Sequence, residues 1–316
     1  MTTTANCEDE ARHENTSGLA VGIATVGRPG ILAETLRQLR LQTRRPSRTF
    51  VCVPQERDAA GILEAFPEVE LLLGPRGSSS QRNTILDGLK GSDCKGIIFF
   101  DDDFFPARTY LAMVEAIFET APEIVMITGT LIADGAGGPG FAPEQGRLLL
   151  DRDERNAEEF DPADPLAGLI TTFGCYGCNM AVRLAPAHTN NMRFDENLPL
   201  YGWLEDIDFS RAMAPFGRIV RSRQARGVHL GVKMGRTSGV RLGYSQIANP
   251  VYLIRRNRCS LRFGGKLMAR NLTMNLLKSI RPETYVDRRG RLRGNLMAIG
   301  DVFSGKVDPQ RILRLS

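Results

Sequence analysis

The chain has 316 residues, of which 42% are hydrophobic and 24% charged, a composition that is ordinary for a globular protein and excludes a fibrous or largely disordered one. The net charge is only +5, but residues 218–316 contain 22 Lys and Arg against 4 Asp and Glu, a net charge of +18. A basic C-terminal third indicates an anionic partner such as phosphate, a membrane surface or nucleic acid.

The N-terminus and the cysteines indicate the compartment. Residues 1–17 are polar and acidic and lack the basic start and apolar run of a secretory signal, so we expect a disordered tail. No apolar stretch approaches the roughly 20 residues that cross a bilayer. The six cysteines lack the spacing of a disulfide framework, which fits a reducing compartment. We therefore predict a cytoplasmic protein.

The first half of the chain alternates apolar runs of strand length with segments of helical periodicity. The predicted strands occupy residues 19–24, 49–53, 69–73, 96–100 and 124–132, and the predicted helices occupy residues 31–39, 61–66, 81–90 and 108–120. This alternation predicts an α/β fold with a mainly parallel open sheet and helices on both faces. Residues 135–164, rich in Gly, Pro and charge, are interpreted as a long excursion, after which residues 169–184 return to the sheet.

Three carboxylates follow the apolar strand at residues 96–100. Asp101, Asp102 and Asp103 are adjacent, and like charges this close repel each other unless a cation lies among them. Asp101 and Asp103 are two residues apart, so both can face one divalent ion. Mg²⁺ or Mn²⁺ held by few protein oxygens takes substrate phosphates as further ligands. The strand end is therefore a candidate metal and phosphate site, and a solvated acidic loop is the alternative.

A second acidic cluster follows a turn near residue 202. Glu205, Asp206 and Asp208 lie at the start of a predicted helix, beside Trp203, which is the only tryptophan. Carboxylates at a helix N-terminus are stabilised by the helix dipole, so capping alone is one explanation. A tryptophan beside carboxylates also suits a sugar, which has an apolar face surrounded by hydroxyls.

Taken in order, these motifs resemble the family 2 glycosyltransferases, which have the GT-A nucleotide-diphospho-sugar transferase fold. The resemblance covers roughly residues 19–260 and rests on residues 25–29 (TVGRP), 77–83 (GSSSQRN), 101–103 (DDD), 177–183 (GCNMAVR) and 205–206 (ED). One departure concerns the acid that the family carries directly after the second strand, where it contacts the nucleobase. Here Glu56 and Asp58 are the acids that follow that strand.

The resemblance implies a role for each motif residue. It implies an inverting transfer from a nucleotide-diphosphate sugar to a glycan or lipid-linked hydroxyl acceptor in polysaccharide or glycolipid synthesis, with Asp206 as catalytic base. The implied metal, Mg²⁺ or Mn²⁺, is held by Asp103, Asp101 and His229. Trp203, Glu205 and Asp208 are the implied acceptor-binding residues. The implied donor-binding residues are Thr25, Arg28, Arg82, Asn83, Asp101, Asp102 and Arg236. A structural histidine and a solvated basic face are the alternatives for His229 and Arg236.

These observations divide the chain into a tail (1–17), a GT-A glycosyltransferase domain (18–260) and a basic helical C-terminal extension (261–316). The extension alternates Leu and Met with Lys and Arg. This pattern is typical of a helix lying peripherally on an anionic membrane, here the inner face, and equally of a helix packed against the catalytic domain.

Two other classes of protein share part of this sequence pattern. A haloacid-dehalogenase-like phosphatase also has an apolar strand ending in Asp-x-Asp, with Asp101 as nucleophile, but that motif opens its fold, whereas three strand and helix units precede Asp101 here. A non-enzymatic nucleic-acid-binding protein is suggested only by the basic C-terminal third, which lacks interleaved aromatic residues for base stacking. We therefore expect no nucleic-acid partner.

Overall fold

The computed structural model describes residues 18–156, 164–233 and 238–316. The tail predicted for residues 1–17 lies outside these ranges, as does Arg236. Within them, nine strands form one sheet. The strands are β1 (Leu19–Ala24), β2 (Arg48–Val53), β3 (Val69–Leu73), β4 (Gly96–Asp101), β5 (Phe104–Pro106), β6 (Ile124–Asp134), β7 (Ile170–Thr171), β8 (Asn179–Arg183) and β9 (Arg218–His229).

Ten α-helices accompany the sheet in the described ranges. They are α1 (Pro29–Arg40), α2 (Ile62–Ala65), α3 (Ser78–Gly88), α4 (Tyr110–Thr120), α5 (Pro143–Asn156), α6 (Leu184–Thr189), α7 (Glu205–Met213), α8 (Gly239–Arg255), α9 (Leu261–Lys278) and α10 (Arg288–Phe303). Helix α5 lies within the predicted excursion of residues 135–164. Its sequence is mostly polar and charged and buries only Gly146 and Leu150, so little apolar periodicity marks it.

The sheet is mixed, and the prediction of a mainly parallel sheet is corrected here. Its order is β3-β2-β1-β4-β8-β6-β9-β5, with β7 beside β9. Strands β1 to β4 pair in parallel, and so do β6 and β9. Strand β8 is antiparallel to both β4 and β6, and β5 and β7 are antiparallel to β9. An apolar run predicts that a strand exists but not its direction, which depends on how the chain returns to the sheet.

The strand order creates a crevice beyond the carboxyl ends of β1 and β4. The chain passes from β1 to β2 on one side, and it later returns from β3 to β4 on the other side of β1. Ligands in α/β sheets bind where the strand order reverses in this way. The register pairs Ala24 with Asp101, so the loop after β1 and the three carboxylates after β4 begin at the same level of the sheet.

Two apolar cores lie on opposite faces of the sheet, as predicted. Successive residues of a strand face opposite sides, and on β4 Ile98 and Phe100 pack with α1 and α4, whereas Ile97 and Phe99 pack with α3, α6 and α7. All four side chains are at most 1% exposed. The buried strands hold their carboxyl ends in fixed positions, which is what a binding site requires.

Helices α8, α9 and α10 form a third packed unit around Tyr244, Ile247 and Ala298. Its contacts with the rest of the chain include two from α8, where Asn249 Nδ2 donates to the Trp203 carbonyl at 2.7 Å and the Tyr252 hydroxyl donates to Asp195 at 2.8 Å. Throughout the described residues, each helix is too short or too polar to span a bilayer.

Candidate active site

Asp102 is completely buried and faces the loop after β1. Its carboxylate accepts hydrogen bonds from the Thr25 hydroxyl and from Arg28, whose Nε and Nη2 lie 3.0 and 2.5 Å from the two carboxylate oxygens. Burial raises the pKa of Asp102 to about 7, although Arg28 opposes the shift. Asp102 therefore ties the β1 loop to the end of β4.

Asp101 and Asp103 form a cluster with His229, at the end of β9. One ligand atom from each of the three residues lies within 4.8 Å of the others. His229 Nε2 is 3.4 Å from Asp103 Oδ1 and 3.9 Å from Asp101 Oδ2. The other carboxylate oxygen of Asp103 is held in place, because the Val232 amide donates to Oδ2 at 2.7 Å. The structure thus assembles the three residues that sequence analysis assigned to a metal.

The other ring nitrogen of His229 is held by a residue that sequence analysis missed. His229 Nδ1 lies 2.8 Å from Oδ1 of Asp134, at the end of β6, and the Tyr176 hydroxyl donates to the other oxygen of Asp134 at 3.3 Å. Burial alone would lower the pKa of His229, but Asp103 and Asp134 raise it to about 10. In the sequence, the feature that could have identified Asp134 as a candidate site residue is its position at the carboxyl end of a strand.

Arg82 connects the cluster of Asp101, Asp103 and His229 to the second acidic cluster. It is 3% exposed, and its Nη2 donates to Asp101 Oδ1 at 3.2 Å and to the Gly177 carbonyl at 2.8 Å. Its Nη1 donates to Glu205. Burial would lower the pKa of Arg82, but Glu205 and Asp101 raise it above its usual value. All of these bonds are made inside the protein, so Arg82 acts first as a bridge between two sets of carboxylates.

Glu205 and Asp206 begin helix α7 beside Gly177. The loop before them is unusual, because Leu200 and Leu204 have positive φ angles of 59° and 72°, which side-chain-bearing residues rarely adopt. Burial raises the pKa of Glu205 to about 7, and its Oε2 has no hydrogen-bond partner among the described residues. Strained backbone and a buried polar atom without a partner are features that cluster at functional sites.

The Asp206 carboxylate is oriented by two backbone amides. The Gly177 amide donates to Oδ2 at 2.9 Å and the Ile207 amide donates to Oδ1 at 2.8 Å. Burial raises the pKa of Asp206 above its usual value. A fixed carboxylate with a raised pKa is suited to accept a proton from a hydroxyl group.

Three other predicted residues have structural partners. The Asn83 side chain bonds to the backbone of Phe194 and to Glu196, at 2.8 to 3.0 Å. Asp208 is buried in an ion pair with Arg258, at 3.3 Å. Trp203 is half-buried and is positioned by helix α8 through its carbonyl. None of these described contacts joins Asn83, Asp208 or Trp203 to the candidate metal ligands.

The ends of β1 and β2 are joined by Gln81, another residue that sequence analysis did not single out. Its Nε2 donates to the carbonyls of Thr25 and Cys52, at 2.9 and 2.6 Å. On this side of the crevice, Asp58 lies beside Gly27, where an added Cβ atom would be 3.6 Å from its Oδ1. Glu56 is exposed to solvent. Of the two acids after β2, Asp58 is therefore the one beside the β1 loop.

Comparisons with known proteins show the fold. No family model matches the sequence, and no curated protein matches it. The structure is similar to residues 1–349 of S. aureus TarS (TM-score 0.53, 13% identity, covering 94% of this chain and 82% of that one). It is also similar to the Pyrobaculum calidifontis mannosyltransferase PcManGT in complex with GDP-Man and Mn²⁺ (0.52, 13%, 94% and 85%) and to TarS 1–349 in complex with UDP-GlcNAc (0.50, 15%, 94% and 83%). The chain has the GT-A glycosyltransferase fold.

One of the structures with the same fold contains Mn²⁺, and the three clustered side chains could hold a divalent ion. Asp101 and Asp103 supply carboxylate oxygens, which both Mg²⁺ and Mn²⁺ accept, and His229 supplies an imidazole nitrogen. Separations of 3.4 and 3.9 Å from His229 Nε2 to the two carboxylates are close to what ligands around one ion require. Mn²⁺ accepts imidazole nitrogen as well as carboxylate oxygen, whereas Mg²⁺ prefers oxygen.

Proposed function

We propose that this protein is a metal-dependent glycosyltransferase that moves a sugar from a nucleotide-diphosphate sugar to a hydroxyl acceptor. The observation that carries the proposal is the bridge made by Arg82. It connects the candidate metal ligand Asp101 to Glu205, whose neighbour Asp206 is the candidate base. A metal site for a diphosphate and a carboxylate base for a hydroxyl group are the two halves of a glycosyl transfer.

The donor side is assigned to the crevice between β1 and β4. Asp101, Asp103 and His229 would hold Mn²⁺ or Mg²⁺, which when bound neutralises the charge that develops on a departing diphosphate. Thr25 and Arg28 fix the β1 loop through Asp102, and Asp58 is our candidate for contact with the nucleobase. Asn83 is proposed to support the donor side indirectly, because its side chain hydrogen-bonds to Phe194 and Glu196 and holds that segment in place. Complexes with GDP-Man and UDP-GlcNAc in structures of the same fold support this class of donor.

Arg236 is proposed as a further donor-binding residue. It lies outside the described residues, between Lys233 and Ser238, shortly after the candidate ligand His229. A guanidinium group matches the geometry of phosphate oxygens, so Arg236 is the natural cation for the diphosphate.

The acceptor side is assigned to the start of α7. Asp206 would accept the proton of the attacking hydroxyl, while the amides of Gly177 and Ile207 keep its carboxylate in place. Attack on the face opposite the leaving diphosphate inverts the configuration of the sugar. Trp203 and Glu205 are the proposed acceptor contacts. Asp208 is proposed to support the acceptor side by holding α7 in place through its ion pair with Arg258.

The cellular setting is part of the same proposal. A glycan or lipid-linked acceptor, transfer of a hexosyl group and a role in polysaccharide or glycolipid synthesis in the cytoplasm follow from the family resemblance of the motifs. In the phosphatase alternative Asp101 is the nucleophile, and the bridge from Asp101 through Arg82 to Glu205, beside Asp206, has no role.

The proposal is tested by measuring nucleoside diphosphate released from a panel of nucleotide sugars, with Mn²⁺ and mixed glycan or lipid-linked acceptors. We expect release from at least one donor, and Asp206→Asn should lower it by at least about a thousandfold without weakening donor binding. Hydrolysis of a generic phosphomonoester, with no release from any nucleotide sugar, would instead identify a phosphatase.

A further inference from the structure

Helices α9 and α10 carry an exposed surface that mixes large apolar side chains with Lys and Arg. Along α10, residues at helical spacing are exposed on one side: Arg289, Arg293, Leu296, Gly300 and Phe303. Along α9 and the turn after it, the exposed residues with the same kind of spacing are Lys266, Arg270, Met274, Leu277, Ile280 and Arg281. We call these eleven residues the basic–apolar face.

The apolar residues of this face are unusually exposed. Phe303 is 88% exposed, Ile280 76%, Leu277 62% and Leu296 58%. The end of α9 lies beside the start of α10, because Arg289 Nε donates to the carbonyl of Ser279 at 3.2 Å. Phe303 lies at the other end of α10. Large apolar side chains exposed along two neighbouring helices cost free energy in water, and exposed apolar surface of this kind marks interaction sites.

The charge of the face points to an anionic partner. Residues 261–316 contain twelve Lys and Arg and four Asp and Glu, a net charge of +8. Glu283 pairs with Lys278 and Arg288, and Asp301 pairs with Arg311. The remaining acids, Asp287 and Asp308, cap the helical segments that follow them. In the described part of the chain, the cations of the face therefore make no ion pair.

We propose that the basic–apolar face docks on an anionic membrane surface. Apolar side chains enter the boundary between headgroups and acyl chains, and the surrounding cations attract anionic headgroups. Lys306, three residues after Phe303, adds a further cation at this end of α10, where it lines a recess of about 480 Å³ with Asp308, Arg311 and Arg314. This inference goes beyond the proposed sugar transfer and depends on none of its residues.

Two other occupants fit the face less well. In a symmetric dimer the face would meet its own copy, which would place like charges against each other. Nucleic acid would satisfy the cations but would leave Leu277, Ile280 and Leu296 without a partner, since phosphate backbones offer no apolar surface. An anionic bilayer satisfies both features at once.

The test is sedimentation of the full-length protein with phosphatidylcholine vesicles, with and without phosphatidylglycerol. At about 0.05 M salt we expect binding only to the anionic vesicles, and about 0.5 M salt should reduce it strongly through screening. Phe303→Ser and Ile280→Ser should each weaken binding by at least about tenfold, and Arg293→Glu by at least about fivefold. Each variant should keep the wild-type melting temperature and nucleotide binding.

Matched controls lie on helix α5. Leu148, which is 66% exposed, and Arg152, which is also exposed, offer the substitutions Leu148→Ser and Arg152→Glu away from the face. These two variants should bind vesicles as the wild type does. Full-length protein that stays in the supernatant at low salt, or controls that weaken binding as much as Phe303→Ser, would overturn the proposal. Self-association abolished by Phe303→Ser, without vesicle binding, would assign the face to a second copy.

Discussion

Arg82 and Glu205 form an ion pair whose side chains are only 4% and 7% exposed. The two residues are far apart in the sequence, and each also belongs to one half of the candidate active site. Two buried charges are stable only while they are paired, because each alone would pay the full cost of leaving water. The pair therefore fixes the distance between the candidate metal cluster and the candidate base.

We predict that Arg82→Leu destabilises the protein by about 3–5 kcal/mol, since it leaves Glu205 and Asp101 without their cation. The double variant Arg82→Leu/Glu205→Leu should be more stable than the single one, because it leaves one fewer uncompensated buried charge. Urea unfolding measures both. Arg76→Ala, at an exposed position shortly before α3, is the control and should change the stability by less than about 0.5 kcal/mol. Equal stability of Arg82→Leu and wild type would show that the pair is dispensable.

A second prediction concerns His229 and the choice of metal. His229→Ala should weaken Mn²⁺ binding by at least about tenfold and Mg²⁺ binding by less, because Mg²⁺ prefers oxygen ligands. Calorimetric titration of each metal in the presence of UDP or GDP measures the two affinities. His188→Ala is the matched control, since His188 is exposed on α6. Unchanged Mn²⁺ affinity in His229→Ala would leave His229 with a structural role only.

Asp134 should matter to the metal although it is not one of the clustered ligands. It holds His229 Nδ1 and thereby sets which nitrogen faces Asp101 and Asp103. Loss of such an outer partner typically costs about 10- to 100-fold in metal affinity. We expect Asp134→Asn to weaken Mn²⁺ binding within this range while the melting temperature of the metal-free protein changes little. An effect on stability alone would contradict the positioning role.

The stability of the metal-free protein should depend on pH through Glu205. Its pKa is about 7 in the folded state and 4.5 in the unfolded chain. Between these two pH values the unfolded chain loses the Glu205 proton, whereas the folded protein keeps it. The contribution of protonated Glu205 to the free energy of unfolding is therefore complete below about pH 4.5, and it is lost as the pH rises through about 7. Glu205→Gln does not titrate. We therefore expect wild type to lose on the order of 1–3 kcal/mol relative to Glu205→Gln between about pH 5 and pH 8. A pH-independent difference between the two proteins would contradict the raised pKa.

Local sequence patterns were sufficient for the first half of the fold. Strands β1 and β3 have the predicted bounds, and β2 and β4 differ by one residue, because their apolar runs end at polar loops. The proximity of Asp101 and Asp103 was predictable, since both follow such a strand directly, whereas their proximity to His229 was not. Helix α3 begins three residues earlier than predicted, at Ser78, because Ser favours caps and turns over helix interiors and so does not indicate a helix.

The remaining features depend on contacts between distant parts of the chain. The antiparallel direction of β8 follows from how residues 169–184 return between β4 and β6, which no local pattern encodes. Asp134 and His229 meet because β6 and β9 pair in parallel with three register shifts. The Arg82–Glu205 pair likewise joins α3 to α7. These contacts appear only when the strand order is known.

The most direct test of the account is calorimetric binding of UDP, GDP and dTDP with and without Mn²⁺, in wild type and in Asp101→Asn. Asp101→Asn keeps the volume of the side chain and removes the charge that faces the metal. We predict that one of these nucleotides binds wild type only with Mn²⁺, and that Asp101→Asn weakens this binding by at least about tenfold without unfolding the protein. Binding of the same nucleotide with equal affinity in EDTA, or undiminished metal-dependent binding in Asp101→Asn, would contradict the assignment of the Asp101, Asp103 and His229 cluster to a donor-binding metal.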